Sequence, residues 1–106
     1  MSEGFVPVLD EAELKDGGTK LVSVAGKQIL LVKQSGKVYG VQNRCPHMGC
    51  SLANGALNGF ILTCACHGWS FDVRSGEYQR AKSIKLATYE CMVSDGKIYV
   101  KLHEHV

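Results

Sequence analysis

The sequence predicts an all-β domain, and three observations carry that reading. Short apolar stretches recur at close spacing along the 106 residues, and glycines, 12 of them, punctuate the gaps. Several stretches also alternate apolar with polar positions, the period of a half-buried strand. Together these indicate a sandwich or small barrel.

The elements follow in order. Phe5 to Leu9 reads as a first short strand. Asp10-Glu11-Ala12-Glu13-Leu14 then predicts one helical turn, with Asp10 as its cap and Glu13 reaching back, ended by Asp16-Gly17-Gly18. Lys20 to Val24 alternates, Ala25-Gly26-Lys27 turns, and Gln28 to Val32 is an apolar run expected to be buried. After Ser35-Gly36, Val38 to Gln42 forms the next strand. Asn54 to Gly59 is turn chemistry around a short strand, and Phe60 to Thr63 follows it. Arg74-Ser75-Gly76 turns the chain again. Ile84, Leu86 and Thr88 alternate with Lys85, Ala87 and Tyr89, and Lys97 to Leu102 closes the sheet with Ile98, Val100 and Leu102 on one face. The expected organisation is a single domain, 1–106. Its β base comes from 1–42 and 72–106, and residues 43–71 form an insertion.

Composition excludes several classes of function. A net charge of +2 is too small to argue for nucleic acid or an anionic membrane surface. No run of about 18 apolar residues exists, so no transmembrane span is expected. Met1-Ser2-Glu3-Gly4-Phe5 lacks a basic segment followed by an apolar one, so the expected location is cytoplasmic.

The insertion carries the chemistry. Cys45-Pro46-His47-Met48-Gly49-Cys50 and Cys64-Ala65-Cys66-His67-Gly68-Trp69-Ser70-Phe71 each offer a thiol and an imidazole, with sixteen residues between His47 and Cys64. Four such ligands in two pairs point to a metal site. Two thiolates and two imidazoles can hold a structural zinc ion, or a [2Fe–2S] cluster in which two histidines replace two cysteines on one iron. Ligand type alone does not separate these. Zinc fingers keep two cysteines in one knuckle and two histidines in a following helix, whereas here each pair is mixed, which suits a binuclear centre.

Cys45-Pro46-His47 and the stretch from Cys64 to Phe71 resemble the two cluster-binding boxes of Rieske iron–sulfur proteins. Val38-Tyr39-Gly40-Val41-Gln42-Asn43, Phe71-Asp72 with Ser75-Gly76-Glu77, and Asp95-Gly96-Lys97-Ile98-Tyr99-Val100 extend the resemblance over nearly the whole chain. It implies a Rieske-type sandwich of antiparallel sheets with two cluster-binding loops at one tip, and one [2Fe–2S] cluster per chain. Cys45 and Cys64 become ligands of the inner iron, His47 and His67 of the outer iron. Neutral histidines leave the reduced cluster less negative, so Rieske potentials lie within about −150 to +300 mV, above those of plant-type ferredoxins.

Departures within the family are informative. Cys50 and Cys66 match a cysteine pair that forms a disulfide in respiratory and photosynthetic Rieske proteins, and that simple Rieske ferredoxins usually lack. The resemblance implies the same disulfide here. Respiratory proteins also place a serine directly after the His-Gly of the second box and a tyrosine two residues later, with hydroxyls that raise the potential. Those positions hold Trp69 and Phe71, and Ser70 is displaced by one residue, to the other face of a strand. A potential toward the ferredoxin end of the range is expected. The proline-containing loop that many members carry after the second box is replaced by Gln79-Arg80-Ala81-Lys82-Ser83, expected as a solvated loop.

From Cys45 to Phe71 there is no Asp, Glu, Lys or Arg, and Met48, Leu52 and Trp69 could form an apolar rim around the tip. Cys91 is expected as a buried strand cysteine, and His103 and His105 as part of a polar tail. The function implied is a soluble one-electron carrier, not an enzyme, between a reductase and a terminal oxygenase or other redox partner. A Rieske oxygenase needs a second, mononuclear iron site, for which only His103 and His105 are left. The remaining alternatives are a small accessory subunit of a larger reductase, of the nitrite reductase kind, and a zinc-stabilised structural module.

Overall fold

A computed structural model describes residues 5–24, 26–44, 51–66 and 68–101. These residues are built from strands: β1 (Phe5–Asp10), β2 (Thr19–Val24), β3 (Lys27–Gln34), β4 (Lys37–Gln42), β5 (Ala56–Asn58), β6 (Ile61–Thr63), β7 (Ser70–Asp72), β8 (Glu77–Tyr78), β9 (Ala81–Lys85), β10 (Thr88–Tyr89), β11 (Cys91–Ser94) and β12 (Lys97–Lys101). Short 3-10 turns cover Glu11–Glu13 and Leu52–Asn54. Every pairing among the described residues is antiparallel, as the family resemblance implied.

Three sheets form, in the orders β1-β12-β11, β10-β4-β3-β2 and β5-β6-β7-β8-β9. The apolar run in β3 explains how they stack. Ile29, Leu30, Leu31 and Val32 are all buried, because β3 has protein on both faces. Ile29 and Leu31 pack with Leu14, Ile98 and Val100, whereas Leu30 and Val32 pack with Val41, Leu52, Leu62, Cys64, Phe71, Val73 and Leu86. The β10-β4-β3-β2 sheet is therefore the middle layer. Burying each such side chain contributes about 1.5–3 kcal/mol.

The tight hairpins follow from turn chemistry. Ser35-Gly36 joins β3 to β4 with φ of 55° and 78°, and Asp95-Gly96 joins β11 to β12 with 52° and 76°. Two consecutive left-handed residues match the twist of the flanking strands. Pro7, which has no N–H to give, lies exposed on the edge strand β1 where the register slips.

Several expectations are corrected. Asp10 precedes the first 3-10 turn, but its side chain makes no cap; the Glu11 amide instead donates to the Gly96 carbonyl at 2.8 Å. The alternation from Ile84 to Tyr89 does not run through one strand. β9 ends at Lys85, and the chain crosses to β10 in the middle sheet. That crossing is held by Leu86 N–H to the Gly76 carbonyl at 2.7 Å, and by Gln42, whose backbone N–H donates to the Ala87 carbonyl at 2.9 Å and whose side-chain Oε1 accepts from the Ala87 backbone amide at 2.7 Å. Residues 79–83 are not a free loop, since Glu77–Tyr78 and Ala81–Lys85 pair as a hairpin. The sheet carrying the second box thus runs past residue 71 to Lys85.

Candidate metal centre

The second box grows from the end of β6. Cys64 follows Thr63 directly, and the chain reverses over five residues: the Cys64 amide donates to the Trp69 carbonyl at 2.7 Å, and the Gly68 amide to the Cys64 carbonyl at 3.0 Å. Gly68 sits at φ +74° with open space where a Cβ would be, so backbone conformation, not crowding, favours glycine there. β7 then returns antiparallel to β6.

Strand parity sorts the side chains after the turn. Phe71 points into the core and is fully buried, while Ser70 faces the other way, its Oγ 3.1 Å from Thr63 Oγ1 on β6. Trp69 is partly buried and stacks on Tyr78 at a 4.1 Å centroid distance and a 4° interplanar angle. Phe71 lies tilted beneath both rings, 6.4 Å from Trp69 and 5.5 Å from Tyr78. Beside the stack, Gly68, Ser70, Gln79 and Arg80 help line a cleft of about 300 Å³. At the outer end of this sheet Arg74 grips the Asp72 carboxylate through Nε at 3.0 Å and Nη2 at 2.8 Å, and its guanidinium lies 4.3 Å over Phe60. The Asp72 hydrogen bonds raise the basicity of Arg74 above the ordinary guanidinium value.

The first box leaves β4 through Asn43, a buried side chain that bonds across to Ser51 and Ala53. Ser51 caps the 3-10 turn that follows by accepting from the Ala53 amide. Leu52, expected on an apolar rim, is instead fully buried, because this turn directs it into the core beside Leu62 and Cys64.

Of the expected ligands, Cys64 is described, and Cys45, His47 and His67 lie outside the described residues, as do Cys50, Met48, Leu102, His103 and His105. Cys64 is 2% exposed, lies outside any disulfide and packs among apolar side chains. Cys66, two residues on, is exposed and disulfide-bonded. Among the described residues no group of three or more His, Cys, Asp or Glu forms a metal site by itself. Cys64 is nonetheless suited to metal binding. A thiolate in an apolar wall is costly unless a metal neutralises it, and residues 45–71 contain no charged side chain to do so. The donor set of two thiols and two imidazoles therefore fits a cluster held by mixed ligands. Cys91, the other described thiol outside a disulfide, stands on β11, where burial pushes its pKa up to about 12. A half-buried protonated thiol there is packing, as expected from the sequence.

Sequence reasoning missed Asn43 and Gln42 as parts of the site's frame. Both stand in the stretch that resembles the family, but their partners are distant in sequence, up to 45 residues for Gln42.

Among the described residues no helix is long and apolar enough to cross a membrane. Residues 4–90 match the family model for the Rieske [2Fe-2S] domain. The chain is 33% identical to the 3-phenylpropionate/cinnamic acid dioxygenase ferredoxin subunit of Photorhabdus laumondii, over 98% of each chain. It is 29% identical to the ferredoxin component of the alkene monooxygenase system of Xanthobacter autotrophicus, over 91% of this chain and 80% of the relative. It also matches the cholesterol 7-desaturase of Hemicentrotus pulcherrimus at 33% identity, but spans 16% of that protein. Among solved structures, the ferredoxin of carbazole 1,9a-dioxygenase from Nocardioides aromaticivorans IC177 superposes with a TM-score of 0.86 at 25% identity, covering 93% of this chain and 98% of that one. An oxygenase–ferredoxin complex of carbazole 1,9a-dioxygenase gives 0.89 at 23% identity, with 30% of that chain covered. The chain belongs to the Rieske [2Fe-2S] domain family, and its cofactor is a Rieske-type [2Fe–2S] cluster.

Proposed function

We propose that this protein is a one-electron carrier that takes electrons from a reductase and delivers them to a terminal oxygenase or another redox protein. The observation that carries the reading is the end-to-end match, 98% of each chain, to a dioxygenase ferredoxin subunit. That relative is a component of an oxygenase system and not the oxygenase itself. We also place the carrier in the cytoplasm.

Cys45 and Cys64 would hold the inner iron as thiolates, and His47 and His67 the outer iron as neutral imidazoles. When bound, the cluster supplies a one-electron couple tuned upward by its histidines. The protein's own contribution is positional. Cys64 is delivered from the end of β6 into an apolar wall, which keeps water from the thiolate side. The Trp69–Tyr78 stack and the buried Phe71 stiffen the turn that carries Cys64 and His67. A disulfide between Cys50 and Cys66 would tie the two boxes together; the disulfide state of Cys66 supports this pairing. We read 1–106 as one Rieske domain, with the ligand-bearing loops within 43–71 and a β base formed by 1–42 and 72–106, of which β8 and β9 continue the sheet of the second box.

The test is an optical spectrum of the purified protein with low-temperature EPR after dithionite reduction, followed by reconstitution. Two irons and two labile sulfides per chain are expected, with reduction by a reductase and turnover of an oxygenase when all three components are mixed. A colourless protein holding zinc would overturn the carrier reading and make the same four residues a structural clip. A normal cluster that accepts electrons but supports no oxygenase or other acceptor would overturn the carrier role alone.

A further inference from the structure

Asn43 is the buried polar side chain of the described residues, 5% exposed, and it stands where β4 gives way to the first box. Its Nδ2 donates to Ser51 Oγ at 2.8 Å and to Gln28 Oε1 at 3.3 Å, and its Oδ1 accepts from the Ala53 amide at 2.8 Å. Its own amide donates to the Gln28 carbonyl at 3.3 Å. A carboxamide has two N–H donors and one carbonyl, and here all are used. The partners lie on both sides of the box. Gln28 belongs to β3, beneath the departure point, whereas Ser51 and Ala53 are eight and ten residues further along, where the chain returns. Leu52, between those two contacts, is fully buried in the core cluster that contains Cys64.

We propose that Asn43 is a positioning residue for the cluster. It clamps the two ends of the segment 44–50 to one point on the middle sheet, and so fixes where Cys45 and His47 arrive relative to the wall that holds Cys64. The inference rests on the assignment of Cys45 and His47 as ligands. The physical argument is that of a closed loop. With its ends pinned, the segment can move its ligands only by internal bending. With the clamp removed, the segment gains conformational freedom relative to Cys64, and the Ala53 amide loses its 2.8 Å acceptor and keeps only the 3.4 Å contact to Ser51 Oγ. Gln42, next in the chain, reaches instead to Arg44 and Ala87, and the proposed Cys50–Cys66 disulfide would be a second tie on the same segment.

The test measures iron release from the holoprotein to a ferrous chelator under native conditions for wild type, Asn43→Ala, Asn43→Asp, Ser51→Ala and Ile98→Ala. Ile98 is fully buried in the opposite core cluster, so its truncation destabilises the fold without touching the clamp. Asn43→Ala is expected to release iron roughly tenfold faster than Ile98→Ala compared at equal loss of thermal stability. Asn43→Asp keeps the acceptor for Ala53 but not the donor to Ser51, and is expected to fall between wild type and Asn43→Ala. The reduced EPR signal should broaden in Asn43→Ala and stay unchanged in Ile98→Ala. If Asn43→Ala does not accumulate, faster release and a broadened signal in Ser51→Ala support the clamp, and wild-type behaviour there overturns it. Release rates that follow thermal stability alone across all variants also overturn it. A wild-type protein that binds no iron removes the ligand assignment, and the clamp with it.

Discussion

Phe71→Ala tests whether the second box is built on a packed support. The ring is fully buried, faces Leu62 across β6 and Tyr78 across β8, and shares one cluster with Cys64. Truncating such a ring costs about 3–5 kcal/mol, the transfer free energy plus the cavity left where neighbours cannot collapse. Collapse is restricted here, because Leu62, Val73 and Val41 are themselves fully buried and Tyr78 is held by its stack on Trp69. For a domain of this size, each kcal/mol lowers the melting temperature by about 4–8 °C, so a drop of at least ~12 °C is expected. Phe60 is the internal comparison. It lies partly buried at the edge of the same cluster, touching Tyr39 edge-on at 5.8 Å and carrying Arg74 over its face. Those ring contacts are worth about 1–2 kcal/mol beyond the area buried, and less of the ring is buried than at Phe71, so Phe60→Ala should cost less than Phe71→Ala. Thermal unfolding followed by far-UV circular dichroism, with iron per chain measured on each variant, reads both effects. A shift below about 5 °C for Phe71→Ala, or a larger loss for Phe60→Ala, would refute the packing argument.

Three further outcomes are expected. Phe71→Tyr restores the hydroxyl that the respiratory pattern carries at this position; one hydrogen bond favouring the reduced state by about 1 kcal/mol raises a one-electron potential by about 40 mV, and a redox titration showing no rise would count against it. Cys91 has its folded pKa pushed up to about 12, against about 8.5 in an unfolded chain. Its contribution is intact below the unfolded value and is lost as pH climbs from there through 12, so Cys91→Ala should flatten the alkaline fall in stability; identical urea midpoints across that window would exclude this. Gly76 adopts φ +82°, and a Cβ there would collide with the Leu86 carbonyl and meet Thr88 Cγ2 at 3.0 Å. Gly76→Ala should therefore cost over ~2 kcal/mol in urea denaturation, whereas Gly59→Ala, left-handed at φ +63° but in open space, should cost only the conformational penalty of about 1 kcal/mol.

How much was legible in the sequence depended on how local each cause is. Turns set by consecutive residues, such as Ser35-Gly36 and Asp95-Gly96, were readable, and so was the burial of Gln28 to Val32 in all but its first residue, Gln28 being exposed. The sheet change at Leu86-Ala87 was not, because the apolar alternation runs straight through it. What breaks the strand is the carbonyl of Gly76 and the side chain of Gln42, ten and forty-five residues away. Leu52 was misjudged for a related reason. An apolar residue in a Gly- and Asn-rich stretch looks exposed until Asn43 fixes Ala53 beneath it. The expected ligand pairs, Cys45 with His47 and Cys64 with His67, have one and two residues between them and stand out in the sequence, whereas the proposed Asn43 clamp requires two segments to meet.

The strand parity of β7 carries the strongest link between this fold and its electronic properties. Side chains alternate across a sheet, so a hydroxyl displaced by one residue is a hydroxyl on the opposite face. Ser70 illustrates this: its Oγ is engaged with Thr63 Oγ1, while the inward neighbour Phe71 offers only carbon to the cluster of side chains around Cys64. Trp69, on the other flank, uses its ring for Tyr78. The surroundings of the second box therefore stabilise the turn through packing and leave the sulfur without side-chain hydroxyl donors from β7. Fewer donors mean less stabilisation of the added electron, which places the expected potential in the lower part of the range of about −150 to +300 mV. The same packing that keeps the box rigid thus lowers the potential, and the two effects are read by different variants: Phe71→Tyr by redox titration, and Phe71→Ala by thermal unfolding.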